Sequence, residues 1–252
     1  MLSKNKIKYI RSLESKKFRN IHHVFVAEGN KVVADMMGAF PCEWMLAKSS
    51  WMATQGNIPA EELWTDEEDE IRKISFLTTP QSVIAVFKLP SYDIREADAS
   101  TRLVLALDGV QDPGNLGTIV RLANWFGIEH IVCSFDTADA FSPKAVQATM
   151  GALSRVKVHY ADLKTYLTDA SNRSIPLYGT FLKGENLYEQ PLSRSGIIVM
   201  GNEGNGIRPD IEPLVGCRLY IPSYPPEQLA SESLNVAIAT AIVCAEFRRR
   251  LK

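Results

Sequence analysis

Three short polar stretches carry the side chains best suited to chemistry. Gly201-Asn202-Glu203-Gly204-Asn205-Gly206 sets one carboxylate among three glycines, directly after the apolar run Ile197-Ile198-Val199-Met200. Ser233-Leu234-Asn235-Val236 puts a hydroxyl and an amide at the head of a long apolar segment, downstream of a second apolar run, Leu219-Tyr220-Ile221, that ends in Pro222. The third stretch runs from Asn115 to Arg121. Arginine is effectively always protonated, so Arg121 is suited to gripping a phosphate or steadying an oxyanion. In an open parallel sheet, ligands sit at loops leaving the carboxyl ends of strands, so the glycine and serine loops are expected to wall a ligand site.

Each stretch also has a plainer reading. Asn115 and Ser233 are residue types that cap helices, and a glycine-rich turn after a strand is common. Trp125 suits either a stacked base or a subunit interface. His22, His23, His130 and His159 lack metal-ligand spacing, and no metal is expected.

The elements that must position these residues follow from periodicity. Leu103-Val104-Leu105-Ala106-Leu107 is continuously apolar, as a strand buried on both faces should be. The loop Asp108 to Asn115 then leads to a helix predicted over 116–126, with Leu116, Ile119, Val120, Ala123 and Phe126 on one face, Asn115 as its cap and Gly127 as its stop. Arg121 falls on the opposite face, free for a partner. Further strands are expected at 128–134, 155–160, 177–182, 196–200 and 218–221, with helices from about Pro143, Asp162 and Pro209. The last helix, Leu234 to Arg250, is apolar almost all round, which predicts burial in the core or against a second subunit.

The first ninety residues read as a smaller α/β unit. Helices are predicted at 4–15 and 31–38, strands at 23–27, near 44–47 and at 83–87, and an acidic helix near 66–75, where Thr65 and Glu68 have capping-box spacing. The polar segment KLPSYDIREADAST, 88–101, is the linker candidate and puts the domains at 1–97 and 98–252.

A net charge of −1 conceals a basic start. Lys4, Lys6, Lys8, Arg11, Lys16, Lys17 and Arg19 face Glu14 alone before His23, an arm fit to meet anions. The closing Arg248-Arg249-Arg250 and Lys252 suit either the dipole of their own helix or an RNA contact. With 252 residues, 46% of them hydrophobic, the chain can bury a real core. No apolar run is long enough for a membrane helix and the N-terminus lacks a signal-like segment, so no membrane association is expected and the cytoplasm is the expected compartment. Cys42, Cys133, Cys217 and Cys244 form no CxxC pair and read as buried thiols. A dinucleotide-dependent oxidoreductase would need GxGxxG after its first strand, where DGVQDPGNLG stands instead. A hydrolase elbow, GxSxG, is also missing.

Asn115-Leu116-Gly117-Thr118-Ile119-Val120-Arg121, Gly201 to Gly206 and Ser233-Leu234-Asn235-Val236 resemble, in order and spacing, the three motifs of the SpoU (TrmH) family of RNA ribose methyltransferases, within the SPOUT superfamily. The N-terminal unit, with Phe25-Val26-Ala27-Glu28-Gly29, is similar to the ribosomal-protein-like substrate-binding domain of many members. The resemblance implies an α/β fold: a C-terminal SPOUT-type parallel sheet with a deep trefoil knot, plus a small N-terminal α/β substrate-binding domain. It implies methyl transfer from S-adenosyl-L-methionine to a ribose 2′-hydroxyl of structured RNA, with 23S ribosomal RNA favoured by the two-domain layout. Transfer RNA, or an RNA-binding homologue that has lost catalysis, are the alternatives.

By the same resemblance, Gly201, Ile221 and Leu234 are the cofactor-binding positions, and Arg121, Asn115, Glu203, Asn235 and Ser233 the polar active-site set. The family forms homodimers around the cofactor, and RNA would enter by the basic arm and a cleft near Arg121. The chemistry agrees with these residue types. A sulfonium methyl is already activated, so the enzyme must align the hydroxyl and steady the developing oxyanion. Arg121 suits the oxyanion or a phosphate better than it suits a base, and Glu203 suits orienting Arg121 or Asn115. The chain departs from the family in one place: Ser223-Tyr224-Pro225-Pro226-Glu227-Gln228-Leu229-Ala230 replaces a short turn with a glycine. The extra residues are expected to bulge while Ile221 and Leu234 keep their places.

Overall fold

The computed structural model describes residues 2–66, 69–225 and 233–250. Two compact units emerge, Met1–Ser91 with Asp139–Arg155, and Tyr92–Ala138 with Val156–Lys252.

The first unit is built on a four-stranded sheet. In chain order it contains α1 (Lys4–Ser12), α2 (Lys16–His22), β1 (Val24–Glu28), α3 (Asn30–Met37), β2 (Cys42–Ala47), α4 (Ser49–Met52), β3 (Ala60–Thr65), α5 (Ile71–Ile74) and β4 (Val83–Lys88). The strand order is β1-β4-β2-β3, with β2 and β3 parallel and the other pairs antiparallel. Ile10, Leu13, Val24, Val26, Trp44, Leu46, Ile84 and Val86 fill one side of the core.

Several local expectations change here. The helix predicted over 4–15 stops at Ser12, and a second helix follows from Lys16. The acidic stretch yields β3 and a single helical turn, α5, in place of a helix over 66–75. Strand pairing with β2 fixes Glu61 and Glu62 in an extended edge, whatever their helix-friendly charge. Asp66 caps the following turn, its carboxylate accepting from the Glu70 and Ile71 amides, while Glu68 of the proposed capping box lies outside the described residues.

The second unit carries the expected parallel sheet. Its elements are β5 (Leu103–Leu107), α6 (Pro113–Trp125), β6 (His130–Cys133), β7 (Lys157–Tyr160), α8 (Leu163–Asn172), β8 (Leu177–Asn186), β9 (Gly196–Met200), β10 (Cys217–Tyr220) and α9 (Val236–Arg249); α7 (Pro143–Thr149) belongs to the first unit. All six strands run parallel in the order β10-β8-β9-β5-β6-β7. From β5 the chain builds outward through β6 and β7, then returns to lay β9 against the other side of β5. The order therefore reverses between β5 and β9, and the loops leaving those two strands face a topological switch point. Every residue of β5 and β9 is buried, the pattern their uninterrupted apolar runs required.

Three second-unit expectations need correction. Helix α6 starts at Pro113 and its cap is Asp112, whose carboxylate accepts from the Asn115 amide at 2.8 Å; Asn115 is a residue of the first turn, not the cap. The helix expected from Pro209 is only a 3₁₀ turn, Glu212–Leu214. Ser233 does not cap α9, because Asn235 does, accepting from the Ala237 and Ile238 amides at 3.0 and 3.3 Å. Residues 226–232, which include Pro226 to Ala230 of the longer loop, lie outside the described residues.

Candidate active site

Helix α6 follows the β5 loop, the glycine loop follows β9, and α9 begins just after Asn235. The structure joins one residue from each. Asn235 Nδ2 donates to Asn115 Oδ1 at 3.0 Å, and Asn115 Nδ2 donates to Glu203 Oε1 at 3.0 Å. The second Glu203 oxygen accepts, at 3.5 Å, from the Gln111 amide in the β5 loop. Three residues separated by 88 and 120 positions along the chain thus form one line of hydrogen bonds. A carboxylate at its end makes the amide bond charge-assisted and fixes which way Asn115 points.

Arg121 stands apart from that line. It lies six residues beyond Asn115 on α6, about 9 Å along the axis and well over one turn round. Its side chain is exposed, with no hydrogen-bond or ion-pair partner among the described residues. Ser233 is likewise exposed and unbonded among them. The structure therefore brings together Asn115, Glu203 and Asn235 from the expected polar set, and leaves Arg121 and Ser233 open.

The glycine loop is shaped by Asn202, which the sequence reading passed over. Its backbone pairs in both directions with Gly206, at 2.9 and 3.0 Å, and its side-chain oxygen accepts from the Gly204 and Asn205 amides. The turn is tight at Gly201, where a β-carbon would stand 2.3 Å from the Gly206 carbonyl carbon and 2.4 Å from the Ile207 nitrogen. Only a bare backbone fits there. Asn202 Nδ2 also donates to the Gly109 carbonyl at 2.7 Å, tying the loop to the end of β5. Asp108 and Arg208 form a second tie missed from sequence, the Arg208 amide donating to Asp108 Oδ2 at 2.7 Å. A carboxylate directly at the end of a buried strand was the available signal.

The three positions expected to hold the cofactor are one glycine and two apolar residues, types that an adenosyl site can use. At Gly201 the place of a side chain is taken by the loop's own backbone at Gly206 and Ile207, half-buried Ile221 directly follows β10, and Leu234, 48% exposed, precedes α9 with its apolar side chain uncovered. Apolar walls with a few fixed backbone groups are what small-molecule sites require.

A family model described as the SpoU rRNA Methylase family matches residues 102–245. The chain belongs to the SpoU rRNA methylase family. A second model, the MRM3-like substrate binding domain, matches residues 4–85. The chain is 31% identical over 249 residues to the 23S rRNA (guanosine(2553)-2'-O)-methyltransferase RlmP of Bacillus subtilis, with 96% of each protein covered. Among solved structures, a TrmH-family protein from Porphyromonas gingivalis superposes with a TM-score of 0.89 at 43% identity over 99% of both chains. An AdoMet-bound rRNA methyltransferase from Sinorhizobium meliloti gives 0.86 at 29% identity, over 100% of this chain and 97% of that one. The three-motif resemblance is thereby borne out. As a SpoU family member, the chain is an RNA methyltransferase with S-adenosylmethionine as its cofactor.

The basic arm of this SpoU member is less free than its composition suggested. Arg19 is buried, pairs with Asp139 at 2.6 Å and donates to the carbonyls of Leu13 and Glu14. Lys6 pairs with Glu62 at 3.0 Å, and Arg11 donates to the Ser75 carbonyl. Lys4, Lys8 and Lys17 remain exposed, and Phe18 and Ile21, just beyond Lys17 in sequence, are exposed too.

Proposed function

We propose that the chain methylates a ribose 2′-hydroxyl of ribosomal RNA, within the 23S molecule, and that Asn115, Arg121, Glu203, Ser233 and Asn235 carry the reaction. The observation that bears this reading is the Asn235–Asn115–Glu203 line, built at the strand ends flanking the switch point of a SpoU-family sheet. S-adenosylmethionine, when bound at Gly201, Ile221 and Leu234, supplies a methyl group already activated by its sulfonium. The protein's part is alignment and charge. Glu203 holds Asn115, and Asn115 with Asn235 presents fixed amide groups to the ribose. Arg121, exposed and without a partner among the described residues, holds a backbone phosphate and steadies the negative charge that develops on the ribose oxygen, whose proton passes to solvent water.

Residues 1–97 serve as the RNA-binding domain, with Lys4, Lys8 and Lys17 meeting phosphates, and residues 98–252 perform the transfer. A homodimer is supported by uncovered apolar side chains on two helices of the second unit: Trp125 of α6 is 82% exposed and Ile238 of α9 is 54% exposed. The same reading threads the C-terminal segment through a trefoil knot and places the protein in the cytoplasm with its ribosomal substrate. Among the described residues, no helix is long and apolar enough to cross a membrane.

Ribose methylation mapped across total RNA from a deletion strain tests the proposal. Loss at one nucleotide of 23S RNA is expected, and loss of no site anywhere would refute it. Arg121→Ala, restored to that strain, should leave the site unmethylated while the purified protein keeps its fold and subunit number.

A further inference from the structure

The internal hydrogen bonds of the glycine loop that carries Glu203 do not fasten it to the sheet. Those from Asn202 to Gly204, Asn205 and Gly206 give it shape but attach it to no other element. Besides the bonds of Glu203 itself and the burial of Ile207 in the core, two polar contacts to the β5 end flank Glu203. Ahead of it, Asn202 Nδ2 reaches the Gly109 carbonyl at 2.7 Å. Beyond it, Arg208 meets Asp108 twice, by its amide to Oδ2 at 2.7 Å and by Nε 2.6 Å from Oδ1.

Asp108 is an unusual residue to find there. Its side chain has no exposed surface, and Oδ1 takes no well-aligned hydrogen bond among the described residues, so the Arg208 guanidinium alone answers its charge. Burial raises the pKa of this carboxyl and the contacts with Arg208 oppose the rise. A buried ion pair is a poor device for stability, since apolar side chains of similar size often do as well, but removing one partner is costly. What it supplies is a fixed distance between two loops. The anchor is itself held, because the Gly109 amide donates to Ser134 Oγ at 2.9 Å at the end of β6. The far side of the guanidinium lies 3.9 Å from Asp136, so Arg208 stands between two carboxylates.

We propose that Arg208, locked on Asp108, is a positioning residue for methyl transfer: it clamps the glycine loop to the end of β5 so that Glu203 meets Asn115. The clamp rests on the reading of Asn115 and Glu203 as active-site residues. A displacement of about 1 Å in such a line is enough to cost about a hundredfold in rate.

The test compares Arg208→Gln, Glu203→Gln and the double variant. Single-turnover methylation at saturating RNA and cofactor should fall about tenfold or more in Arg208→Gln, with the RNA dissociation constant within about twofold of the parent. In the Glu203→Gln background the same change should add less than about twofold, because both act through one carboxylate. Arg208→Lys, which keeps a charge for Asp108, should recover part of the rate. Hydrogen exchange of the 201–207 amides reads the clamp without turnover and should speed up in Arg208→Gln but not in Glu203→Gln. If Arg208→Gln does not fold, Asn202→Asp cuts the other tie and must show the same pattern. Full multiplication of the two rate losses, a loss confined to RNA affinity, a harmless Glu203→Gln beside a harmful Arg208→Gln, or unchanged loop exchange would each overturn the clamp. A parent protein that methylates no RNA would overturn the function instead, and loop exchange would still decide the clamp.

Discussion

Asn235 bonds Asn115 at 3.0 Å with the amide nitrogen while its oxygen caps α9 through the Ala237 and Ile238 amides. One side chain thus sets the start of the last helix and fixes the first turn of α6. The two helices also pack along one another. The cap contributes to stability and the bond to Asn115 to the site, so the two roles are separable by chemistry at a single atom.

Asn235→Asp keeps the oxygen acceptor and adds negative charge at a helix N-terminus, where it is favourable. It removes the donor that faces Asn115. The expected outcome is a thermal midpoint equal to or above that of the parent with methyl transfer reduced about tenfold or more. Asn235→Ala should lose both, including about 1 kcal/mol of cap stability. Thermal melts alongside single-turnover assays check this pair, and equal activity of Asn235→Asp and parent would remove the line of amides from the mechanism.

How far the sequence foretold this arrangement differs from element to element. β5 and β9 were readable because strands buried on both faces must be apolar throughout. β3 was not, because its edge position leaves Glu61, Glu62, Leu63 and Trp64 exposed and only pairing with β2 orders it. The start of α6 was misplaced by three residues because Asp112-Pro113 can open either a turn or a helix, and the bond from the Asn115 amide decides for the helix. Asn115, Glu203 and Asn235 were found as motif positions. Glu203 was expected to orient Arg121 or Asn115, and it is Asn115 that it holds; the bond from Asn235 to Asn115 was not foreseen, since a contact across 120 residues leaves no local periodicity. Asn202, Asp108 and Arg208 were missed because a loop's fastening shows only when both loops are in place.

Gly201 offers a direct check on the cofactor loop. A methyl group there would lie 2.3 Å from the Gly206 carbonyl carbon and 2.4 Å from the Ile207 nitrogen, and both are backbone atoms that cannot swing aside. Gly201→Ala should therefore open the turn. Titration calorimetry with S-adenosylmethionine should show affinity weakened about tenfold or more, equivalent to about 1.4 kcal/mol. Parent-like affinity would mean that the loop is not a wall of the cofactor site.

The C-terminal arginines are fastened to the fold. Arg248 donates from Nε to the Phe126 carbonyl at 2.6 Å and from Nη2 to the Gly127 carbonyl at 3.0 Å, satisfying the end of α6 rather than that of its own helix. Arg249 and Arg250 both pair with Glu246, and Arg250 also reaches carbonyls of the loop at Leu187, Tyr188 and Gln190. Lys252 lies outside the described residues. Arg248→Met should destabilise by about 1–2 kcal/mol, a fall of a few degrees in melting temperature, with the salt dependence of RNA binding unchanged. A salt slope reduced by about one with an unchanged melt would instead make Arg248 a phosphate contact.

The stacked pair His130 and His159 gives the fold a calculable acid sensitivity. Both rings are buried, with His130 Nδ1 3.1 Å from His159 Nε2, and the other His159 nitrogen is buried without a hydrogen-bond partner among the described residues. Burial first, then the neighbouring His130, pushes the His159 pKa down to about 4; burial, with Arg102 and Lys157, also lowers that of His130, against the opposing pull of Glu129 and Glu96. Glu96 and Asp93 work against the fall at His159, and Lys157 adds to it. An unfolded histidine titrates near 6.5, so below that pH the unfolded chain gains protons that the folded pair refuses. The stability present above about pH 6.5 is therefore lost as pH falls toward 4, at up to about 1.4 kcal/mol per pH unit for each proton withheld. Denaturant titrations between those values should show this decline, and His159→Phe, which removes one titrating ring, should flatten it. An equally steep decline in His159→Phe would assign the acid sensitivity to other groups.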